Sequence, residues 1–160
     1  MRAVARVGIL LAAVCAGCGP SVDLGANLQV QEVSTGWFDA GIVNGQNKLV
    51  PTVSFKLINH STENLPVLDV NVKFQRQTGD TEWPDEFKRV AGSEGLAPAA
   101  STSTLTLTSK FGYTGSAQSR EDMLRNGQFV VAKVTLFAKY GSTQWTRLGE
   151  YPITRRLLIK

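Results

Sequence analysis

The amino-acid sequence predicts an all-β fold, an antiparallel β-sandwich of about seven strands with one short helix between strands. Three observations support this fold class. Apolar and polar residues alternate with a period of two, most clearly over residues 68–75, which is typical of a strand with one buried face. Turn-forming residues interrupt the apolar runs at short intervals. Only residues 119–126 have the pattern of a helix.

The strands follow one another along the chain after a turn-rich start. Similar but less strict alternation predicts strands over residues 28–33, 52–59, 102–108 and 129–140, and a last apolar stretch covers residues 145–159. Turn residues separate these runs, at 44–45, 59–62, 78–80, 92–100, 112–115 and 141–142. This spacing is typical of an immunoglobulin-like sandwich, in which two sheets bury their alternate faces against each other.

The single predicted helix is short and well delimited. Ser119 is placed to cap its first turn, and Asp122, three residues later, is placed to return the bond. Met123 and Leu124 are expected to face the core, and Gly127 ends the helix. We therefore expect a connector between two strands.

Residues 1–17 have the layout of an export signal. Arg2 and Arg6 make the start basic, residues 7–14 form an apolar run, and small residues precede Cys18. The apolar run is shorter than the roughly 20 residues that a membrane-crossing helix needs, and no later segment approaches that length.

Residues 15–18, Cys-Ala-Gly-Cys, resemble a bacterial lipobox. In that motif the last cysteine receives a diacylglyceryl group, and signal peptidase II cleaves just before it. The resemblance implies a lipoprotein held in a membrane through acyl chains on Cys18, since several chains together make attachment effectively permanent. Gly19, where an Asp would favour the inner membrane, implies the periplasmic face of the outer membrane in a two-membrane cell. The alternative is ordinary secretion, which leaves Cys18 as an exposed thiol.

The predicted organisation is therefore a signal peptide (1–17), a lipidated N-terminus with a short tether (18–27) and one β-sandwich domain (28–160). Removal of the signal peptide leaves 143 of the 160 residues, enough for a core that needs no disulfide. The predicted tether spans about 30 Å when fully extended. We expect the domain to lie close to the bilayer.

A second resemblance covers residues 49–76. A strand, a turn of the form N-x-S/T-x-x-x-L that begins at Asn59, and an alternating strand are similar to the small immunoglobulin-like domains of bacterial lipoproteins, such as those of the FxLYD type. Many such domains have no assigned chemistry, so the resemblance implies a fold more than a function.

The catalytic and metal-binding inventory is sparse, so we predict no catalytic residue, metal or cofactor. The only histidine, His60, lies in a turn without a nucleophile motif around it. One histidine and one cysteine in the mature chain are too few for a zinc site. Four acidic residues cluster in a hairpin and are expected to be solvated: Asp80, Glu82, Asp85 and Glu86.

Positive charge is concentrated near the C-terminus. The whole chain has a formal charge of +4, and without Arg2 and Arg6 it has 15 basic against 13 acidic residues. This near balance in an exported chain predicts no nucleic-acid partner. If the last two strands pair, basic residues on their outward faces form a strip that could attract anionic headgroups, wall polymers or an acidic protein: Lys133, Lys139, Arg147, Arg155, Arg156 and Lys160. The alternative is that these charges only protect an edge strand.

Aromatic residues near strand ends supply the other possible contacts. Trp37, beside Gly36, and Trp83, before Pro84, are the two expected to be partly exposed and available for binding. Core packing is the more common role of such residues and remains the alternative.

Three functions follow from these observations. The leading hypothesis is a membrane-anchored, non-enzymatic adaptor that binds an envelope protein. The alternative is a domain that binds cell-wall glycan or anionic lipid. The third, an envelope hydrolase with dispersed carboxylates, requires a pocket with two acidic side chains of raised pKa.

Overall fold

The computed structural model describes residues 21–78, 83–116 and 118–158 of the chain. Within them, two sheets pack face to face, and the predicted all-β sandwich is confirmed. The predicted signal peptide and Cys18 lie outside the described residues, as do Asp80, Glu82 and Lys160.

The first sheet has the strand order β5-β2-β1-β9, with β6 also paired to β2. All its pairs are antiparallel except that of β9 with β1. Asn44 and Gly45 join β1 to β2 with φ angles of 52° and 76°, which suit a two-residue hairpin turn. The strands are β1 (Leu28–Val43), β2 (Gln46–Asn59), β5 (Leu105–Thr108), β6 (Tyr113–Gly115) and β9 (Leu157–Leu158).

The second sheet has the order β4-β3-β7-β8 and is antiparallel throughout. Strand β3 carries the strictest alternation of the sequence, and its residues Leu68, Val70, Val72 and Phe74 are fully buried. The strands are β3 (Leu68–Arg76), β4 (Glu86–Ala91), β7 (Ala132–Tyr140) and β8 (Thr146–Pro152).

Two short helices complete the described part of the chain. Helix α2 (Arg120–Arg125) confirms the predicted connector: the Asp122 amide donates to the Ser119 hydroxyl at 3.1 Å, and Met123 is fully buried. Helix α1 (Leu24–Asn27), capped by Asp23, was not expected. It lies in the predicted tether, and Leu24 is buried, so the folded part begins before residue 28.

The core lies between the two sheets and is continuous. Its buried residues run from Leu24 to Ile153, and partly buried apolar residues that pack against them run from Val22 to Leu157. Every described residue of this core therefore lies within a fragment of residues 19–160.

Several element bounds differ from the prediction. Strand β1 continues ten residues past residue 33, because Trp37 faces the core and Gly36 lets Leu158 lie against the strand. The stretch 145–159 divides into β8 and β9. Strands β4 and β6 were not predicted, and residues 113–115 pair with β2 instead of forming only a turn. The described residues thus form nine strands, where about seven were expected.

Candidate functional site

The outer face of the second sheet carries three aromatic side chains that share one surface. Asn71 of β3 pairs with Phe87 of β4 on one side and with Phe137 of β7 on the other, so these residues form one row across the sheet. Trp145, just before β8, brings its ring within 6.1 Å of the Phe87 ring, edge to face. We call this surface the aromatic face and define it by Phe87, Phe137 and Trp145 with the cations Lys73, Lys139 and Arg147.

Two of the three rings of this face are exposed to solvent, and the third, that of Phe137, is partly buried. Phe87 is 57% exposed and Trp145 is 38% exposed. Aromatic side chains are usually among the most buried of a small domain, and exposed apolar surface that is clustered often marks an interaction site.

Cations surround the rings. The Lys139 ammonium lies 5.0 Å from the centre of the Trp145 ring, and the Lys73 ammonium lies 6.0 Å from that of Phe137, within the range of cation–π attraction. Lys73 also lies 3.6 Å from the Asp85 carboxylate. No carboxylate of the described residues lies within 4 Å of the Lys139 ammonium, so its charge is not neutralised by an ion pair there.

An ion pair between a buried carboxylate and an exposed guanidinium lies on the same sheet. The Asp69 side chain, 4% exposed, opposes Lys139 in the register of β3 and β7. Its carboxylate accepts a hydrogen bond from Nε of Arg89 on β4, while the Arg89 side chain remains 56% exposed. Arg89 therefore supplies the hydrogen bond that water would otherwise give to this buried carboxylate.

The predicted basic strip is divided into two groups by the structure. Lys133, Lys139 and Arg147 lie on the second sheet. Arg155 donates to the Phe129 carbonyl at 2.9 Å, and Arg156 donates to the Thr35 carbonyl at 2.9 Å, which ties both to the backbone of other segments.

Glu150 partly neutralises the first of these groups. Its carboxylate lies 3.3 Å from the Lys133 ammonium and 3.1 Å from the Arg147 guanidinium. The hydrogen bond from Lys133, followed by its charge and the bonds from Thr135 and Arg147, lowers the pKa of Glu150 below its ordinary value of 4.5.

The outer face of the first sheet has a different character. It contains a groove of about 340 Å³ that we call the hydroxyl groove. Thr52 donates to Thr108 at 3.0 Å, and the hydroxyls of Ser54 and Thr106 lie 2.9 Å apart. The groove is lined by Ser34, Phe38, Thr52, Ser54, Thr106, Thr108 and Leu158.

The expected exposure of two tryptophans is wrong, and their alternative role in the core is correct. Trp37 is fully buried, with its ring edge to face against Phe129 at 4.6 Å, and Trp83 is 6% exposed. Trp37 faces inward because β1 continues through it, which places alternate residues towards the core. Neither belongs to a binding surface of this structure.

Sequence reasoning missed Phe87 and Phe137 as surface residues. Phe87 lies in a strand that was not predicted, and the two come together only through the register of three strands. One sequence feature could have indicated a strand there: residues 86–91, which include Phe87, end where a turn is predicted. For Trp145, the sequence indicated only that it begins the last apolar stretch, 145–159.

The described residues that were considered for catalysis or metal binding, His60, Asp85 and Glu86, each contact a neighbouring side chain. His60 Nε2 lies 2.8 Å from the Gln29 side-chain oxygen. Asp85 lies beside Lys73, and Glu86 lies 3.6 Å from the Lys110 ammonium. Across the described ranges, no three His, Cys, Asp or Glu residues are grouped so as to hold a metal ion, and no helix is both long and apolar enough to cross a membrane.

Comparisons with known proteins provide no functional relative. No family model and no curated protein matches the chain. Among solved structures, the chain is similar to a Northeast Structural Genomics Consortium target, SoR45, with 13% identity, a TM-score of 0.45, and 82% of this chain and 89% of that chain covered. A protein from Archaeoglobus fulgidus is similar with 12% identity, a TM-score of 0.39, and 79% and 98% covered.

Proposed function

We propose that this chain is a lipid-anchored, non-enzymatic module of the cell envelope that binds a protein partner in the hydroxyl groove. Anchoring rests on the lipobox-like residues 15–18, which imply acyl chains on Cys18. Binding rests on one structural observation, the groove of about 340 Å³ in the outer face of the first sheet. The periplasmic face of the outer membrane is the proposed location.

The chemistry of the groove favours a protein segment over a glycan. Its hydroxyls already bond to one another across β2 and β5, at 2.9 and 3.0 Å, so much of their hydrogen-bonding capacity is used. Phe38 and Leu158 supply apolar walls. A groove with partly satisfied hydroxyls and apolar walls suits an apolar side chain of a partner, whereas a sugar needs many free donors and acceptors.

The absence of charge in the groove also matters for selection. No ionisable side chain lines it among the described residues. A partner is therefore selected by shape and apolar contact, and its affinity should change little with salt, because screening acts on charges. The proposal that the module is not an enzyme rests on the catalytic inventory of the sequence, which contains a single histidine.

A photo-crosslinking amino acid in place of Thr106, an exposed residue of the groove, tests partner binding in cells. Ser103, exposed but outside the groove, is the matched control position. We expect one reproducible protein adduct from position 106, none from position 103, and loss of the adduct when Ser54→Arg fills the groove. Equal adducts from both positions, or none from position 106, would contradict binding in the groove.

Mass spectrometry of the N-terminus of the protein purified from the same cells tests lipid anchoring separately. An acylated Cys18 as first residue is the expected result. An unmodified N-terminus at another residue would contradict lipid anchoring while leaving the groove experiment interpretable.

A further inference from the structure

The folded chain begins at the end of the second sheet where β7 ends and β8 starts. The Val22 amide donates to the Tyr140 hydroxyl at 2.6 Å, and Tyr140 directly follows Lys139 at the end of β7. A Cβ at Gly25 would lie 3.7 Å from the side chain of Thr146, the residue after Trp145. The start of the folded chain is thus held at the same end of the second sheet as Lys139 and Trp145, through contacts on the inner side of that sheet.

The proposed anchor is very close to this point. Three residue steps separate Cys18 from Ser21, where the described chain begins, and three fully extended residues span about 10 Å. Acyl chains on Cys18 would therefore hold the bilayer surface within about that distance of the chain start. This step rests on the proposed function.

The composition of the aromatic face matches a lipid surface. Phe87 and Trp145 offer exposed apolar rings, and amphipathic aromatic residues are favoured at the boundary between headgroups and acyl chains. Lys73, Lys139 and Arg147 supply positive charge with apolar stems. Among the described residues of this outer face, five cations outnumber three carboxylates: Lys73, Arg89, Lys133, Lys139 and Arg147 against Asp69, Asp85 and Glu150.

We propose that the aromatic face binds the surface of an anionic phospholipid membrane, so that the domain lies on its second sheet. Once the acyl chains on Cys18 are inserted, the short link keeps the aromatic face close to the headgroups. The effective concentration of headgroups at the face is then high, so even a weak attraction is enough for binding.

Vesicle flotation of residues 19–160 tests the face without any acyl chain, since this fragment contains the whole described core. The probes are vesicles of phosphatidylcholine alone and of phosphatidylcholine with phosphatidylglycerol, at low and at high salt. We expect binding to the anionic vesicles only, weakened by salt because the attraction is electrostatic. Binding to both kinds of vesicle alike, or to neither, would overturn the proposal.

Matched variants assign the binding to this face. Lys139→Gln should weaken binding about five-fold, the effect of removing one cation near a charged membrane, and Trp145→Ala should weaken it about ten-fold. The controls are Arg125→Gln on helix α2 and Phe111→Ala, which change an exposed cation and a 50% exposed ring elsewhere. Controls that weaken binding as much as the face variants would overturn the assignment. Thermal unfolding confirms that each variant is folded.

The outcomes separate this inference from the proposed function. If the fragment binds anionic vesicles through Lys139 and Trp145 but Cys18 of the full chain carries no lipid, membrane binding by the aromatic face is supported and lipid anchoring is contradicted. If Cys18 is acylated but the fragment does not bind vesicles, membrane binding by the aromatic face is contradicted. The proposals of lipid anchoring and of partner binding in the groove are then unaffected. A protein adduct from a photo-crosslinker at Phe87 in cells, without vesicle binding, would replace the membrane by a protein at this face.

Discussion

The two sheets contribute similar apolar side chains to one core but differ in how they are built and in what they present outside. In the first sheet, backbone and small side chains approach closely: Leu158 lies against Gly36, Gly112 lies against the Leu49 carbonyl, and outward hydroxyls bond to each other. In the second sheet, long charged and aromatic side chains cover the outside. The inward residues specify the sandwich in both sheets. The outward residues of the two sheets can therefore differ and contribute to function.

Gly112→Ala tests the close approach in the first sheet and should have the largest effect. A Cβ at residue 112 would lie 2.0 Å from the Leu49 carbonyl oxygen, a backbone atom that cannot rotate away. We expect β6 to separate from β2 and the free energy of unfolding to fall by about 3 kcal/mol, the upper part of the usual range for overpacking. Denaturant unfolding measures it, with Gly127→Ala as control, since that Cβ meets nothing within 4 Å.

Arg89→Ala tests the buried carboxylate of the second sheet and should have the next largest effect. Without the guanidinium, the Asp69 carboxylate stays buried and loses its charged partner. We expect a loss of about 2 kcal/mol in the free energy of unfolding, at the lower end of the cost of breaking a buried pair because Arg89 itself is half-exposed. Arg125→Ala, whose partner Glu121 is 73% exposed, should change stability much less; equal losses in both variants would show that Asp69 is not effectively desolvated.

A double-mutant cycle of Phe87→Ala and Trp145→Ala measures how far the aromatic face contributes to the fold. Edge-to-face rings at 6.1 Å predict a coupling of about 0.5 to 1 kcal/mol, the lower part of the range for aromatic pairs because both rings are exposed. The same cycle with Phe111→Ala in place of Phe87→Ala should give no coupling. A coupling well above this range would make the face a structural element instead of a surface free for binding.

The pH dependence at Glu150 should be the smallest effect. Its pKa is lowered mainly by the hydrogen bond from Lys133, so the stability it contributes is present above pH 4.5 and is lost as the pH falls through the lowered pKa. We expect Glu150→Gln to flatten the pH dependence of unfolding in that acidic range. High salt should reduce the difference, because the partners are cations on an exposed surface.

Glu94→Gln is the matched comparison for this prediction. The pKa of Glu94 is lowered mainly by the Gly92 amide, a neutral donor, so its effect should depend less on salt. Identical salt dependence in the two variants would contradict the assigned causes.

Parts of this comparison were predictable from the sequence. Strand β3 and the cap of helix α2 follow from local patterns, alternation in one and a Ser-x-x-Asp sequence in the other, because both depend on neighbours in the chain. The second half of β1 does not follow, because Gly36 and Gly41 weaken a strand pattern. The reason for glycine at residue 36 is a long-range contact, because the Leu158 side chain lies against it in the folded structure.

The candidate surfaces were less predictable than the strands. The aromatic face depends on the register that aligns Phe87, Asn71 and Phe137 across three strands, and register is a long-range property. Lys139 and Arg147 were identified as candidates from charge and alternation alone. Trp37 was misassigned because a residue beside glycine is expected to be exposed when the strand containing it is not recognised.

The bond from the Val22 amide to the Tyr140 hydroxyl has a mechanical consequence. On the proposed anchoring, any pull between the membrane and a bound partner enters the fold at residue 21. From there the chain continues through α1 into β1 of the first sheet, while Val22 holds β7, an inner strand of the second sheet. Tension is thus divided between both sheets at once, and no single edge strand carries the load by itself.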